Sequence, residues 1–557
     1  MTTSSAITRR TTLAGLSAAA AVAVLPRQAS AASPLFRHGV ASGDPDATSV
    51  VLWTRVSAAA PLMVEWELAA DAKFARIVGR GTVQTGPERD YTVKVLAEGL
   101  EPGRGYYYRF RAGGALSPMG RTRTLPVGKL DRLGIALASC SNYAFGFFNA
   151  YDAIARDPAV EFVLHTGDYI YEYGADGWGG DVAKKIGRVH QPANEIVSLF
   201  DYRTRHAQYK TDAGSQAMLA AKPLLACWDD HESANNPWVG GAQNHQPDKE
   251  GDWAARREAS IRAYFEWMPV REPGAGRSRA QFWRTYAFGD LATLSTLETR
   301  HTARAEQIDY LPYSKTIASH ADARAMERDA IGAPGRAMLA PELEADLTAA
   351  WTRSKELGQP WRLIGNPMPI ARTRVPDVVA LGLIPDPAKQ AKPSDDAQIL
   401  AWKGKWNLPF YPDTWDGYEW ARERLYSQAR SAGVNDLVFL TGDSHSFWAN
   451  RLADAAGKPS GIELGTAGIT SPGDFIGSGF DPVTSAKLDR ALEEHNPEVV
   501  WTDNLHQGYV RLVLARSGAQ ADFVAVSSVT SRRYRTAVIK RFGLNRAAEG
   551  LALRPLQ

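Results

Sequence analysis

Five apolar runs in this chain each end in a residue that can hold a metal ion or move a proton, and this repetition constrains the fold more than any other feature. Leu133-Gly134-Ile135-Ala136-Leu137-Ala138 ends in Ser139-Cys140. Val160 to Leu164 leads through Gly167 to Asp168, with Tyr171 three residues on. Pro223 to Trp228 ends in Asp229-Asp230-His231-Glu232, and Trp361 to Ile364 ends in Gly365-Asn366. Asp436 to Leu440 ends in Thr441-Gly442-Asp443-Ser444-His445. Helical segments separate the runs, the pattern of a parallel or mixed sheet in an α/β fold. Such sheets bind ligands outside the carboxyl ends of their strands, so all these groups are expected at one place.

Carboxylates, an amide oxygen and an imidazole suit divalent cations, whereas a phenolate and a thiolate suit Fe(III). A shared Asp168 would bridge two ions roughly 3.5–4 Å apart, the geometry that clamps the oxygens of a displacement at phosphorus. His231, beside Asp230, would protonate the leaving alkoxide. Arg300, after the apolar run Leu291 to Leu297, would grip a phosphate with its planar fork, unless it is a surface arginine paired with Glu298. His165 lies within its strand and is expected to be a hydrogen-bonded core histidine, and His38 a structural one. Two other function classes compete. Gly442-Asp443-Ser444 superficially offers a serine-esterase nucleophile, but leaves Cys140, Tyr171, Asp230 and Asn366 without a role. A secreted binding protein would need no metal at all.

The front of the chain reads differently. Arg9-Arg10, an Ala-rich apolar stretch and Ala29-Ser30-Ala31 describe an export signal over residues 1–31, and the paired arginines point to the twin-arginine (Tat) machinery. The apolar part is too short for a comfortable membrane span. A periplasmic or secreted location follows. The chain has 64 Lys and Arg against 61 Asp and Glu; the signal removes Arg9, Arg10 and Arg27 and no acid, leaving the mature chain formally neutral. Neutrality gives no electrostatic case for a nucleic-acid partner. Two cysteines, Cys140 and Cys227, are too few for a disulfide scaffold, although they could pair with each other.

Residues 32–126 alternate short strands with Gly/Pro turns, which predicts a small antiparallel β-sandwich. Residues 127–530 are expected to be the catalytic domain, of mixed sheets flanked by helices, and residues 531–557 a basic C-terminal segment that either lies on the surface or shields the pocket. A helix is expected from Asp252 to Met268, stopped by Pro269. Residues 302–342 read as a mobile insertion. Trp402, Trp406, Trp415 and Trp420, with Phe410 and Tyr411, form either a substrate wall or a loop packed by its own aromatics. His506 carries no assigned role.

The motif set Cys140, Gly167-Asp168-x-x-Tyr171, Trp228-Asp229-Asp230-His231-Glu232, Gly365-Asn366 and Gly442-Asp443-Ser444-His445 resembles the PhoD-type alkaline phosphatases and phosphodiesterases, of the calcineurin-like metallophosphatase superfamily. Phe36 to Pro45 and Trp415-Asp416-Gly417-Tyr418 resemble further signatures of that family. The resemblance covers nearly all of the mature chain. It implies a phosphoric ester hydrolase in which metal-bound hydroxide attacks phosphorus, with phosphodiesters slightly preferred over monoesters. It also implies Fe(III) held by Cys140, Asp168, Tyr171 and His445, and Ca(II) held by Asp168, Asp230, Asn366 and Asp443. His231 would be the catalytic histidine, and Asn235 and Asn236 candidates for an additional calcium. A thiolate at Cys140 that binds iron cannot also be bridged to Cys227.

Overall fold

The structure, a computed structural model, describes residues 34–547 and 550–556. The expected export signal over residues 1–31 lies outside the described residues. Among them, no helix is long and apolar enough to cross a membrane.

Two large sheets face each other. In the first, the parallel strands Arg132–Ala138, Phe162–Thr166 and Leu224–Cys227 lie side by side, with Thr166 level with Cys227 and His165 level with Ala138. In the second, Ala292–Thr296, Trp361–Asn366 and Leu437–Thr441 run parallel, with Asn366 level with Thr441. Alternation then decides which side chains meet. Leu133, Ile135, Leu137 and Leu164 point inward onto Leu294, Leu363, Val438 and Leu440 and form the dry layer between the sheets. The intervening Ala136, Ala138 and Val163 face out and are covered by helices carrying Tyr151, Ile154 and Met218. Ile364, Leu437 and Phe439 are covered on the other side by Leu343, Leu347, Trp351 and Leu425. The result is a four-layer helix–sheet–sheet–helix body with the strand ends aligned. Leu164 is fully buried in it, a position where truncation to Ala costs about 2–5 kcal/mol.

The N-terminal strands form a sandwich. Val40–Gly43, Val50–Arg55 and Thr92–Ala97 make one layer and Leu62–Ala69, Ile77–Thr85 and Gly105–Ala112 the core of the other. Val50, Leu52, Val64, Leu68, Tyr108 and Phe110 fill the space between them. The sequence did not reveal that the first layer continues into the catalytic sheet: Gly43 pairs in parallel with Leu224. The sandwich is therefore hydrogen-bonded to the strand that leads to Asp229 and Asp230.

Much of the basic end of the chain is built into a sheet. Thr536–Ala547 and Gly550–Pro555 are the last two strands at one edge of the ten-stranded sheet. Phe542 and Leu544 are buried against the sheet core, while Arg541 pairs with Asp522 across the strands. Residues 302–342 are also folded rather than a loose insertion. The helices Tyr310–Ser314 and His320–Met326, with Ile317 between them, bury Tyr310, Ile317, Ala323 and Met326 against Trp406 and Leu408. The helix expected from Asp252 forms over Trp253–Trp267; Asp252 caps it by accepting the Ala255 N–H at 3.2 Å.

One buried cation sits in the seam between sandwich and catalytic body. Lys210 Nζ donates to Tyr169 Oη at 3.0 Å and lies 5.0 Å from the centre of the Trp53 ring, with Met268 and the unpartnered His206 imidazole nearby. Burial lowers its pKa from the ordinary 10.5 to about 7. The unfolded chain therefore holds this proton where the folded protein gives it up, so the penalty is full below about pH 7 and fades as pH rises towards 10.5. Lys210→Met is expected to stabilise the protein near neutrality by about 2–4 kcal/mol, with the gain closing in alkaline buffer. Urea unfolding of both proteins across this range checks it; a gain independent of pH would show that the charge is not the cause.

Candidate metal centre

The aligned strand ends bring the candidate ligands together. The side chains of Cys140, Asp168 and His445 have ligand atoms within 4.8 Å of one another; so do those of Asp168, Asp230 and His231, and of Asp168, Asp229, Asp230 and Asp443. Asp168 belongs to all three groups. The backbone is bent to achieve this: Cys140 (φ 60°), Asp168 (57°), Asp443 (66°) and His445 (54°) all occupy the left-handed region that L side chains avoid. Gly442 permits the closest approach, since a Cβ there would run into Ser139 Oγ and Thr166 Oγ1. Gly167, at φ 100°, does the same against the Asp229 backbone.

A buried carboxylate, Glu232, holds the bend at Asp168 in place and ties it to Asp229. Its oxygens accept the backbone N–H groups of Asp168 at 3.1 Å, Tyr169 at 2.5 Å and Asp229 at 2.9 Å. Tyr171 Oη donates to Asp168 Oδ2 at 2.9 Å and lies 3.2 Å from His445 Nε2. The Tyr171 ring stacks on His231, with centroids 4.2 Å apart. His231 Nδ1 lies 2.7 Å from Glu172 Oε2, and the other oxygen of Glu172 accepts the Asn235 N–H and Asn244 Nδ2, each at 2.8 Å.

The electrostatics ask for cations. Asp168, Asp229, Asp230 and Asp443 crowd one buried place, balanced only by Arg300 and His231 among the described residues that touch them. Burial first, then the neighbouring aspartates, pushes Asp168 and Asp443 well above the carboxylate range, and burial lifts Asp229 to about 6. Burial opposes the charged form of Asp230 too, but His231 and Arg300 outweigh it and hold its pKa down. Asp168 Oδ1, Asp229 Oδ2 and Asp230 Oδ1 are buried with no hydrogen-bond partner. Orphaned buried carboxylate oxygens are costly unless a cation meets them, so the residues present fit a metal centre.

Two family models match the chain. The model of the PhoD-like phosphatase matches residues 135–523, and that of the PhoD-like phosphatase N-terminal domain matches residues 18–126. The chain belongs to the PhoD-like phosphatase family. It is a phosphoric ester hydrolase. Alkaline phosphatase D of Bacillus subtilis (strain 168) is 34% identical over 526 residues, covering 89% of this chain and 78% of that protein. A solved structure of PhoD matches with a TM-score of 0.75 at 30% identity, covering 94% of this chain and 92% of that one.

In this PhoD-like phosphatase Asn366 ends its strand close to the cluster, its Oδ1 accepting from Trp415 Nε1 at 3.2 Å and its Nδ2 donating to Met368 O at 2.7 Å. Trp415 is thus a buried support, and Trp406 and Phe410 are buried as well, which favours the self-packed loop over the substrate wall. Arg300 is not a surface arginine paired with Glu298. Its guanidinium is fully buried, with Nε on Asp229 Oδ1 at 2.6 Å and Nη1 on Asp413 Oδ2 at 2.8 Å. Glu298 instead accepts the backbone N–H of Arg300. Two of its nitrogens hold Asp229 and Asp413, while Nη2 is buried without a hydrogen-bond partner, 3.9 Å from Asp230 Oδ1.

Cys140 and Cys227 are both free, which removes the disulfide alternative. Ser444 Oγ accepts from Trp448 Nε1 at 2.8 Å and has no histidine partner among the described residues, so the esterase reading lacks its base. His165 pairs with Tyr151 Oη at 2.6 Å inside the core, and His506 pairs with Asp503. Sequence reasoning passed over Asp229 and Glu172. Only the doubled acid beside His231 hinted at the first, and the second stood unassigned after Tyr171. Glu172→Gln would put an amide N–H against His231 Nδ1 and force the ring into the other tautomer. A fall of about a hundredfold in kcat with little change in KM is expected from steady-state kinetics. Unchanged kcat would remove Glu172 from the proton path.

Proposed function

We propose that this chain is an exported, metal-dependent phosphoesterase of the alkaline phosphatase and phosphodiesterase type, with its reaction centred on Asp168. The observation that carries the reading is the presence of Asp168 in all three ligand groups, as a bridge between two ions requires. Cys140, Asp168, Tyr171 and His445 would hold Fe(III), because a thiolate and a phenolate suit that ion. Asp168, Asp230, Asn366 and Asp443 would hold Ca(II), and Asp229 is close enough to join them. Bound there, the ions would supply Lewis acidity: charge neutralisation on the phosphoryl group and a more acidic water.

The chain's own residues do the rest. His231 keeps Nδ1 on Glu172 and is left with Nε2 to give a proton to the departing alkoxide. Burial opposes the imidazolium, but Asp230, Glu172 and Asp168 outweigh burial and raise its pKa well above the ordinary value. Arg300 fixes Asp229 and so the floor of the site. Asn235 and Asn236 both donate to Gln243 Oε1, at 3.1 and 2.7 Å, beside the loop that holds Asp230, and remain the candidates for an additional calcium. Diesters are preferred over monoesters in this reading, and the paired arginines Arg9 and Arg10 support Tat export to the periplasm or beyond.

Metal analysis and a visible spectrum of the exported protein, with monoester and diester assays side by side, test the reading. A phenolate–Fe(III) charge-transfer band and calcium are expected. A colourless, metal-free protein that hydrolyses carboxylic esters would overturn it. Asp168→Asn is expected to lower phosphoesterase activity by at least about a hundredfold, since even the outer partners of metal ligands cost 10–100-fold. Activity surviving that change would end the bridging role.

A further inference from the structure

Ser471 lies far along the chain from every expected ligand, on the segment that follows the strand Pro459–Gly465. Its side chain is completely buried, and its Oγ donates to Tyr171 Oη at 2.9 Å. The segment is laced to the turn that carries Cys140. Ile469 N donates to Ser139 O at 2.9 Å, Ser471 N to Cys140 O at 3.3 Å, and Thr470 Oγ1 to Asn142 O at 2.7 Å. One residue thus touches the backbone of the thiol ligand candidate and the side-chain oxygen of the phenol.

Tyr171 Oη has three polar neighbours: Asp168 Oδ2, His445 Nε2 and Ser471 Oγ. In the proposed centre the first two would serve the ion, and on its binding the phenol would release to solvent the proton it now donates to Asp168. The Ser471 hydroxyl keeps both its place and its proton. A hydrogen bond to a charged oxygen is stronger than one to a neutral oxygen, so the contact tightens when the phenolate forms. Partners behind a ligand set its orientation and its donor strength.

We propose that Ser471 is a positioning residue whose hydroxyl fixes Tyr171 Oη and restrains how strongly that oxygen donates to a bound ion. This rests on the reading of Tyr171 as a phenolate ligand. Removing the donor raises the energy of the phenolate electrons and lowers the energy needed to move one towards the metal. The charge-transfer band of iron-loaded Ser471→Ala is therefore expected to move to longer wavelength, by on the order of ten to thirty nanometres for the loss of one charge-assisted hydrogen bond. Ser471→Thr keeps the hydroxyl and is expected to restore the wild-type position.

An alanine band that stays at the wild-type wavelength would overturn the proposal while leaving Tyr171 as a ligand. If the alanine variant fails to fold or to hold iron, resonance Raman spectra of the wild-type protein in H2O and D2O decide instead. The phenolate C–O stretch is expected to shift when the Ser471 hydroxyl is deuterated, and its failure to move would overturn the proposal. An iron-loaded wild-type protein with no phenolate band would refute the underlying reading of Tyr171, an outcome separate from the others.

Discussion

Four aspartates that would repel one another, three of them buried and Asp443 half-buried, lie within a few ångströms, and the rest of the structure works to keep them there. Asp168, Asp229, Asp230 and Asp443 come from the ends of three strands in two different sheets. Each taken alone would move towards water or take up a proton. They stay because rigid elements end at fixed heights and because left-handed bends at Asp168 and Asp443 aim the side chains inward. The cost of the bend at Asp168 is offset locally. Glu232 accepts three backbone N–H groups from two of the loops, so a fifth acid, itself no ligand in the proposed centre, ties the Asp168 turn to the Asp229 turn.

The same reasoning explains why the N-terminal sandwich is joined to the catalytic body instead of being tethered to it. The strand leading to Asp229 and Asp230 is short, only Leu224–Cys227, and would be a weak edge by itself. Pairing through Gly43 converts it into an interior strand. Trp53 of the sandwich also donates to Glu266 O at 2.9 Å, which fastens the helix Trp253–Trp267 to the same seam. A domain that reads as an accessory in sequence is thus part of the mechanical support for two of the four acids.

The sequence showed the strand ends clearly because each apolar run stops at a polar residue, and the stop is local. Cys140, Asp168, Asp230, Asn366, Asp443 and His445 could all be placed in this way. Arg300 could not, because its role depends on Asp413, more than a hundred residues away. Ser471 and Glu172 were invisible for the same reason: a serine and a glutamate acquire meaning only from the atom they face. The edge strands after Thr536 were hidden by their own arginines, since Arg541 reads as surface charge until Asp522 is seen opposite it. The hidden order of residues 302–342 has the mirror-image cause, because their apolar partners Trp406 and Leu408 lie far downstream.

The five residues from Asp168 to Glu172 then take on a specific meaning. Tyr171 turns its oxygen to Asp168, His445 and Ser471, while Glu172, the next residue, reaches His231. Neighbouring side chains therefore serve opposite halves of the site, one facing the candidate metal pocket and the other the candidate proton donor. The Tyr171 ring, stacked on His231, separates the two while touching both. Such an arrangement couples them: the phenol cannot shift towards an ion without moving the surface on which the histidine rests. In the proposed centre, metal binding at Tyr171 and alignment of His231 would therefore be coupled through this contact.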